Sequence, residues 1–223
     1  MPMRRRIENS AAAGKRYDET PGLTKRTDAI REIRYDAKGQ RQYLQLGNGT
    51  LTQYDYDPQT FRLRQIRTTR PADATDFPLR RSNLRDARIV QQLHYTYDPT
   101  GNITEIHDEA YEPVFFRNQQ VEPRNLYEYD ALYRLICAAG KENNALRDAP
   151  SHKEGNAPKM QFPDPGALRN YTQLYAYDAV GNILVMRHQA GVGDWTRTYN
   201  YAPDSNRLLR TTTGSGNLIN YQY

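Results

Sequence analysis

Aspartate recurs regularly among the residues of this chain that could do chemistry. Asp36, Asp57, Asp98, Asp130 and Asp178 each follow a tyrosine directly. A pair of carboxylates could hydrolyse a glycosidic bond, but that reaction needs one asymmetric pair at one place. Recurrence along the chain instead favours a structural role, because a short carboxylate accepts hydrogen bonds from backbone N–H groups in turns. These aspartates therefore predict turns rather than a catalytic site.

The remaining reactive groups match no known catalytic or metal-binding motif. His107, Asp108 and Glu109 form a local cluster of potential metal ligands, but consecutive strand residues point to opposite faces and the spacing fits no metal motif. Cys137 lies in an apolar run, which favours a small buried residue over a catalytic thiol. Trp195 could stack on a sugar, although packing is the favoured role. We therefore predict no catalytic residue, no metal and no cofactor.

The aspartates belong to an internal repeat. Its unit is Tyr-x-Tyr-Asp, two residues, Gly-Asn and then an aliphatic run, and two nearly complete copies start at Tyr95 and Tyr175. Weaker copies start at Arg34, Tyr54, Tyr127 and Tyr199, and the chain stops inside a further copy. The basic period is about 21 to 24 residues, which indicates a repeat architecture.

Each repeat predicts one β-hairpin. The two tyrosines lie two residues apart, so in a strand both rings project from one face. Aspartate and the Gly-Asn pair favour a tight turn, and the aliphatic residues that follow form the second strand. The predicted fold is therefore all-β, with antiparallel hairpins joined into a curved, spiralling sheet. A sheet of this many strands curls or splits because of strand twist.

The repeat also explains an unusual composition. The 223 residues include 18 tyrosines but few aliphatic side chains, and stacked tyrosines could replace an aliphatic core because the ring packs while the hydroxyl stays hydrated or hydrogen-bonded. The predicted structural signature residues are Tyr35, Asp36, Gly39, Tyr54, Tyr56, Asp57, Tyr95, Tyr97, Asp98, Gly101, Asn102, Tyr127, Tyr129, Asp130, Tyr175, Tyr177, Asp178, Gly181, Asn182, Tyr199 and Tyr201.

Charge and polarity divide the chain further. The formal net charge is +5, and the excess of Lys and Arg lies in the first third, so residues 1–29 are predicted to form a flexible basic tail rather than a nucleic-acid site. Residues 30–223 are predicted to form the repeat domain, with polar loop insertions near 115–125 and 141–170. No apolar run is long enough for a transmembrane helix, and no Sec-type signal is recognised.

The Tyr-Asp signature and its Gly-Asn turn resemble the YD repeats of the RHS family. The stretches 47–63, 93–99 and 204–209 resemble more closely the shell regions of the B and C components of bacterial insecticidal toxin complexes. In that family the repeats form a hollow β shell around a C-terminal toxin. The resemblance covers residues 30–223 and implies a segment of the shell wall, since no RHS core or toxin domain is recognised.

The resemblance implies a non-enzymatic, structural function in toxin encapsulation and virulence. Implied partners are other YD-repeat segments, an enclosed toxin polypeptide and a channel-forming toxin component, and the implied location is extracellular, after secretion as part of a complex. Nucleic acid and membrane insertion are not expected. The alternative function is an extracellular module that binds carbohydrate or polyanions, which exposed tyrosines and the basic first third would favour.

Overall fold

The computed structural model describes residues 28–71, 73–74, 86, 88–144, 166–191, 193–214, 216 and 218–223. All regular structure in these residues is β, so the prediction of an all-β fold of antiparallel hairpins is confirmed. None of the described residues forms a helix with the length and apolarity that a bilayer crossing requires. The predicted tail, residues 1–29, lies almost wholly outside the described part.

The chain divides into two compact units, residues 1–94 and 95–223. In the first unit, consecutive strands pair antiparallel in chain order. Its strands are β1 (Ile30–Tyr35), β2 (Arg41–Leu46), β3 (Leu51–Tyr56), β4 (Leu63–Thr69) and β5 (Ile89–Tyr97), of which the residues through His94 belong to this unit.

The second unit continues the same pattern of antiparallel neighbours. Its main strands are β6 (Ile103–Asp108), β9 (Arg124–Tyr129), β10 (Leu135–Asn143), β11 (Leu168–Tyr177), β12 (Ile183–Gln189), β13 (Trp195–Tyr201), β14 (Leu208–Thr213) and β15 (Leu218–Asn220), in that spatial order. The strands β7 (Val114–Phe116) and β8 (Gln119–Val121) form a separate hairpin between β6 and β9.

The β7–β8 hairpin occupies the region for which the sequence predicted a polar loop. Arg117 and Asn118 adopt φ values of 48° and 63°, which allow the chain to reverse in two residues. Val121 is only 1% exposed, and the side-chain amide of Asn170 on β11 donates to the backbone carbonyl of Gln120 at 3.0 Å. The insertion is therefore a short hairpin packed against the sheet.

The second predicted insertion is shorter than the sequence suggested. Residues 141–143 complete β10 and residues 168–170 begin β11. The part between them, residues 145–165, lies outside the described residues. The division into a tail and one repeat domain stays a prediction.

Candidate functional site: the turn and tyrosine contacts shared by the repeats

The predicted aspartates lie at the turns of the repeat hairpins and accept hydrogen bonds from the turn backbone. At the turn between β11 and β12, Asp178 Oδ1 accepts from the N–H groups of Val180 at 3.0 Å and Asn182 at 2.8 Å. The side-chain amide of Asn182 donates to Asp178 Oδ2 at 2.8 Å. Asp36 and Asp130 likewise accept from the N–H groups of the second and fourth residues after them, Asp57 from the second and third, and Asp98 from the third and fourth. We call this arrangement the Tyr-Asp turn.

One position of each Tyr-Asp turn requires a positive φ. Gly39, Gly101 and Gly181 supply it with φ values of 82°, 108° and 98°, which glycine adopts without steric cost. Two turns lack the glycine, and there Tyr133 and Phe61 take φ values of 61° and 60°. A bulky residue in this region carries conformational strain.

Replacing Tyr133 by glycine is expected to stabilise the protein. Tyr133 is 60% exposed, so little packing is lost, while the strain of its positive φ is relieved; the expected gain in the free energy of unfolding is about 0.5–1 kcal/mol. Urea unfolding followed by circular dichroism measures it. The reciprocal change, Gly181→Ala, should destabilise by a similar amount, since its Cβ would meet open space but an unfavourable φ. A Tyr133→Gly protein less stable than the parent would contradict the interpretation.

Hydrogen bonding in the turns lowers the pKa of Asp98, Asp130 and Asp178. The side-chain amide of Asn182 is the main cause for Asp178, and Asn102 plays the same part for Asp98. The backbone N–H of Arg134 is the main cause of the lowered pKa of Asp130. In all three, the hydrogen bonds favour the ionised carboxylate over the protonated form.

These lowered pKa values predict acid-dependent stability. Since each carboxyl binds its proton less readily in the folded chain, the turns contribute fully above the unfolded-state pKa, about 3.9, and lose that contribution as the pH falls through the folded values. The melting temperature should therefore fall below about pH 4. Thermal unfolding between pH 7 and 2 tests this, with Asp98→Asn/Asp178→Asn as the comparison variant. An equally steep acid decline in that variant would exclude these carboxylates as a cause.

The second tyrosine of the repeat links one repeat hairpin to the one before it. The hydroxyls of Tyr56, Tyr129, Tyr177 and Tyr201 donate to the backbone carbonyls of Arg41, Ile103, Leu135 and Ile183, at 3.0, 2.8, 2.6 and 3.0 Å. Each acceptor begins the strand that follows the preceding Tyr-Asp turn. We call these four contacts the tyrosine staples. Burial raises the pKa of all four hydroxyls.

A side chain of one turn also donates to the backbone of the next turn. The amide of Gln40 donates to the carbonyl of Phe61 at 2.8 Å, and Arg134 Nη1 donates to the carbonyl of Asp178 at 3.1 Å. These donors occupy the same position, the fourth residue after the aspartate of a turn. The staples and the turn contacts together connect successive repeats at the ends of the strands that carry the Tyr-Asp turns.

The other signature residues fall on the strands that lead into the turns. The strands β1, β3, β5, β9, β11 and β13 each end at the second tyrosine of a repeat copy. Tyr35 is 46% exposed, whereas the other strand tyrosines of the signature are half-buried. The carbohydrate-binding alternative depended on exposed tyrosines, and this half-burial weakens it. The rings are partly covered, and the stapled hydroxyls already donate to backbone carbonyls.

The isolated reactive residues are not assembled into a catalytic or metal site in the described part of the chain. No group of three or more metal-ligating side chains occurs among these residues. Burial raises the pKa of the Cys137 thiol, which disfavours the reactive thiolate. The Trp195 ring stacks on His188 with centroids 5.1 Å apart.

A buried polar cluster escaped the sequence analysis. Glu142 accepts hydrogen bonds from Arg169 Nε at 2.7 Å and lies 3.2 Å from His188 Nε2. His188 is 4% exposed and stacks between Tyr171 and Trp195. The three polar residues come from β10, β11 and β12, and no spacing in the sequence connects them. Cross-strand register alone brings them together.

Comparison with known proteins shows related toxin subunits. The chain is 38% identical over 171 residues to the toxin subunit YenC1 of Yersinia entomophaga, covering 77% of this chain. It is also 38% identical over 166 residues to the toxin subunit YenC2 of the same organism, covering 72%. The chain spans 16% of the length of each of these curated relatives. No family model matches the chain.

Solved structures show the same relationship. A crystal structure of TcdB2-TccC3 matches with a TM-score of 0.60 and 35% identity, over 80% of this chain and 8% of the matched chain. A Tc holotoxin pore of Photorhabdus luminescens that carries a mutated TccC3 matches with a TM-score of 0.61 and 34% identity, over 82% and 8%. Both the sequence and the fold are thus similar to those of Tc toxin components.

Proposed function

We propose, from the relationship of this chain to the subunits of Tc insecticidal toxin complexes, that it forms a stretch of the wall of a toxin-enclosing shell. The tyrosine staples carry the proposal. Each staple fixes a hairpin to the preceding one through a backbone carbonyl, so the sheet can extend repeat by repeat. A wall of any length can be built from such contacts, because each repeat needs only its neighbours.

The sparse apolar packing supports a wall. Among the described residues, the buried apolar ones are Ala110, Val121 and Ala138. A compact domain of this size would bury a much larger aliphatic core. Tyrosines that are half-buried and hydrogen-bonded suit a thin sheet, since one end of the side chain packs while the other meets polar groups.

The proposed role is structural and non-enzymatic. The recurring carboxylates accept hydrogen bonds from turn N–H groups and from Asn or Arg side chains. These hydrogen bonds give the carboxylates a structural role in stabilising the turns. The proposed partners are other YD-repeat segments, an enclosed toxin polypeptide and a channel-forming component, and the proposed location is outside the cell, in a secreted toxin complex.

A segment exchange tests the proposal. The stretch of YenC1 that aligns with this chain would be replaced by the aligned stretch of this chain, and the complete toxin complex would be treated with protease. We expect the enclosed polypeptide to survive as it does in the parent complex. A matched exchange with the Tyr129→Phe, Tyr177→Phe and Tyr201→Phe changes should protect less. A correctly assembled exchange complex whose interior is digested like free polypeptide would overturn the proposal.

A further inference from the structure

The hairpin formed by β10 and β11 has no Tyr-Asp turn to set its register. Its strands pair from Cys137 with Leu174 to Asn143 with Leu168. The backbone N–H of Asn144 then donates to the carbonyl of Ala167 at 2.8 Å. Residues 144–167 contain no tyrosine followed by aspartate. The turn chemistry that joins β9 to β10 and β11 to β12 is therefore missing here, and this connection is much longer than those between β2 and β3 or between β12 and β13, which lack that turn as well.

The side chains in the middle of strand β10 are too small to specify its register by packing. Its middle is Ala138, Ala139 and Gly140. A slip of one residue would exchange the two faces of the strand, but a slip of two would keep them. Small side chains discriminate weakly between the native register and a two-residue slip. At the end of β10 and β11 next to the Asp130 and Asp178 turns, the staple from Tyr177 to the carbonyl of Leu135 holds the strands. The opposite end, next to the long connection, needs another contact.

The buried cluster lies at that opposite end. Glu142 and Arg169 are directly opposed across β10 and β11, with Arg169 Nη2 and Glu142 Oε1 2.7 Å apart and side chains only 7% and 13% exposed. His188 on β12 approaches both carboxylate oxygens of Glu142 at 3.2 Å. Beside them the Tyr171 ring lies over Gly140, where a Cβ atom would come within 3.2 Å of the ring.

We propose that Glu142, Arg169 and His188 form a register lock that holds β10 and β11 in alignment at the base of the long connection. A two-residue slip would place Glu142 opposite Tyr171 or Ala167, and Arg169 opposite Asn144 or Gly140. Either slip separates the directly opposed charges in a site that water scarcely reaches. Such a penalty falls on wrong registers and spares the native one, which is the best supported use of buried polar groups.

Disulfide trapping in the full chain tests the register directly. Counting from the hydrogen-bonded pair of Asn144 and Ala167, Asn143 and Leu168 form a non-hydrogen-bonded pair, whose Cβ atoms lie close enough for a disulfide. In a Cys137→Ser background, Asn143→Cys/Leu168→Cys reports the native register. Asn143→Cys/Asn170→Cys reports the slip, because in the native register these residues are diagonal neighbours beyond disulfide reach.

With the cluster intact, we expect the native pair to oxidise and only a trace of slipped disulfide to form. With Glu142→Met/Arg169→Met, slipped disulfide should increase about tenfold, the change that corresponds to roughly 1.4 kcal/mol. The exchange Glu142→Arg/Arg169→Glu keeps the opposed charges and should return the slipped disulfide to a trace. The proposal is overturned if the methionine variant also forms only a trace of slipped disulfide. If Glu142→Met/Arg169→Met does not unfold cooperatively, the test depends on Glu142→Arg/Arg169→Glu. An increase of slipped disulfide in Glu142→Arg/Arg169→Glu would then overturn the proposal.

Discussion

Replacing Glu142 by alanine is expected to lower the free energy of unfolding by about 3 kcal/mol. The change leaves Arg169, 6% exposed, without the carboxylate that it contacts at 2.7 Å. It also removes the group that His188 faces. The loss is large because a buried cation keeps its desolvation cost after its counter-charge is removed. Urea unfolding measures it as a lower midpoint, by roughly 1 M or more, with an unchanged slope.

An exposed ion pair of the same sheet provides the control. Glu105 and Arg124 lie 3.8 Å apart with side chains 30% and 48% exposed, and Glu105→Ala should change the stability by less than about 1 kcal/mol. Removing both buried charges, as in Glu142→Met/Arg169→Met, should recover most of the loss of Glu142→Ala, since no uncompensated charge remains. Equal effects of Glu142→Ala and Glu105→Ala would contradict the burial argument.

Local chemistry explains why the sequence predicted the hairpins so well. Aspartate, glycine and asparagine specify the turn within five residues, and the strand before it ends at the second tyrosine, as at Tyr129 and Tyr177. Such contacts need no knowledge of distant residues. The loop insertion predicted near 115–125 instead contains most of the β7–β8 hairpin, where Arg117 and Asn118 reverse the chain by adopting positive φ. That turn carries no Tyr-Asp signature.

The contacts between strands could not be predicted in this way. The staple of Tyr177 ends on a backbone carbonyl 42 residues away, and a carbonyl has no signature in the sequence. Glu142 and His188 are 46 residues apart, with an insertion between them. Their meeting depends on the register of two strand pairs at once. The pattern thus predicts the repeat, while the position of each repeat against the next depends on tertiary contacts.

Removing three tyrosine staples together is expected to destabilise the second unit by about 3 kcal/mol, since a typical hydrogen bond contributes about 1 kcal/mol. The variant Tyr129→Phe/Tyr177→Phe/Tyr201→Phe keeps each ring and removes only the hydroxyls that donate to the carbonyls of Ile103, Leu135 and Ile183. The three hydrogen bonds have different acceptors, but Leu135 pairs with Tyr129 and Ile183 with Tyr177 across neighbouring strands, so the sum is approximate and coupling between the variants measures how far the staples cooperate. The unfolding midpoint in urea measures the sum, and each single variant gives one part.

The exposed tyrosine at a turn supplies the matched control. Tyr133 is 60% exposed, so Tyr133→Phe removes a hydroxyl that water already solvates and should leave the midpoint within error. The Tyr177→Phe variant should show the largest single effect, because its staple is the shortest at 2.6 Å and joins the two strands that flank the long connection between β10 and β11. If the triple variant unfolds with the midpoint of Tyr133→Phe, the backbone ladder alone joins the repeats. The tyrosines would then serve packing, and the repeat would need its Tyr-x-Tyr spacing only to place two rings on one face.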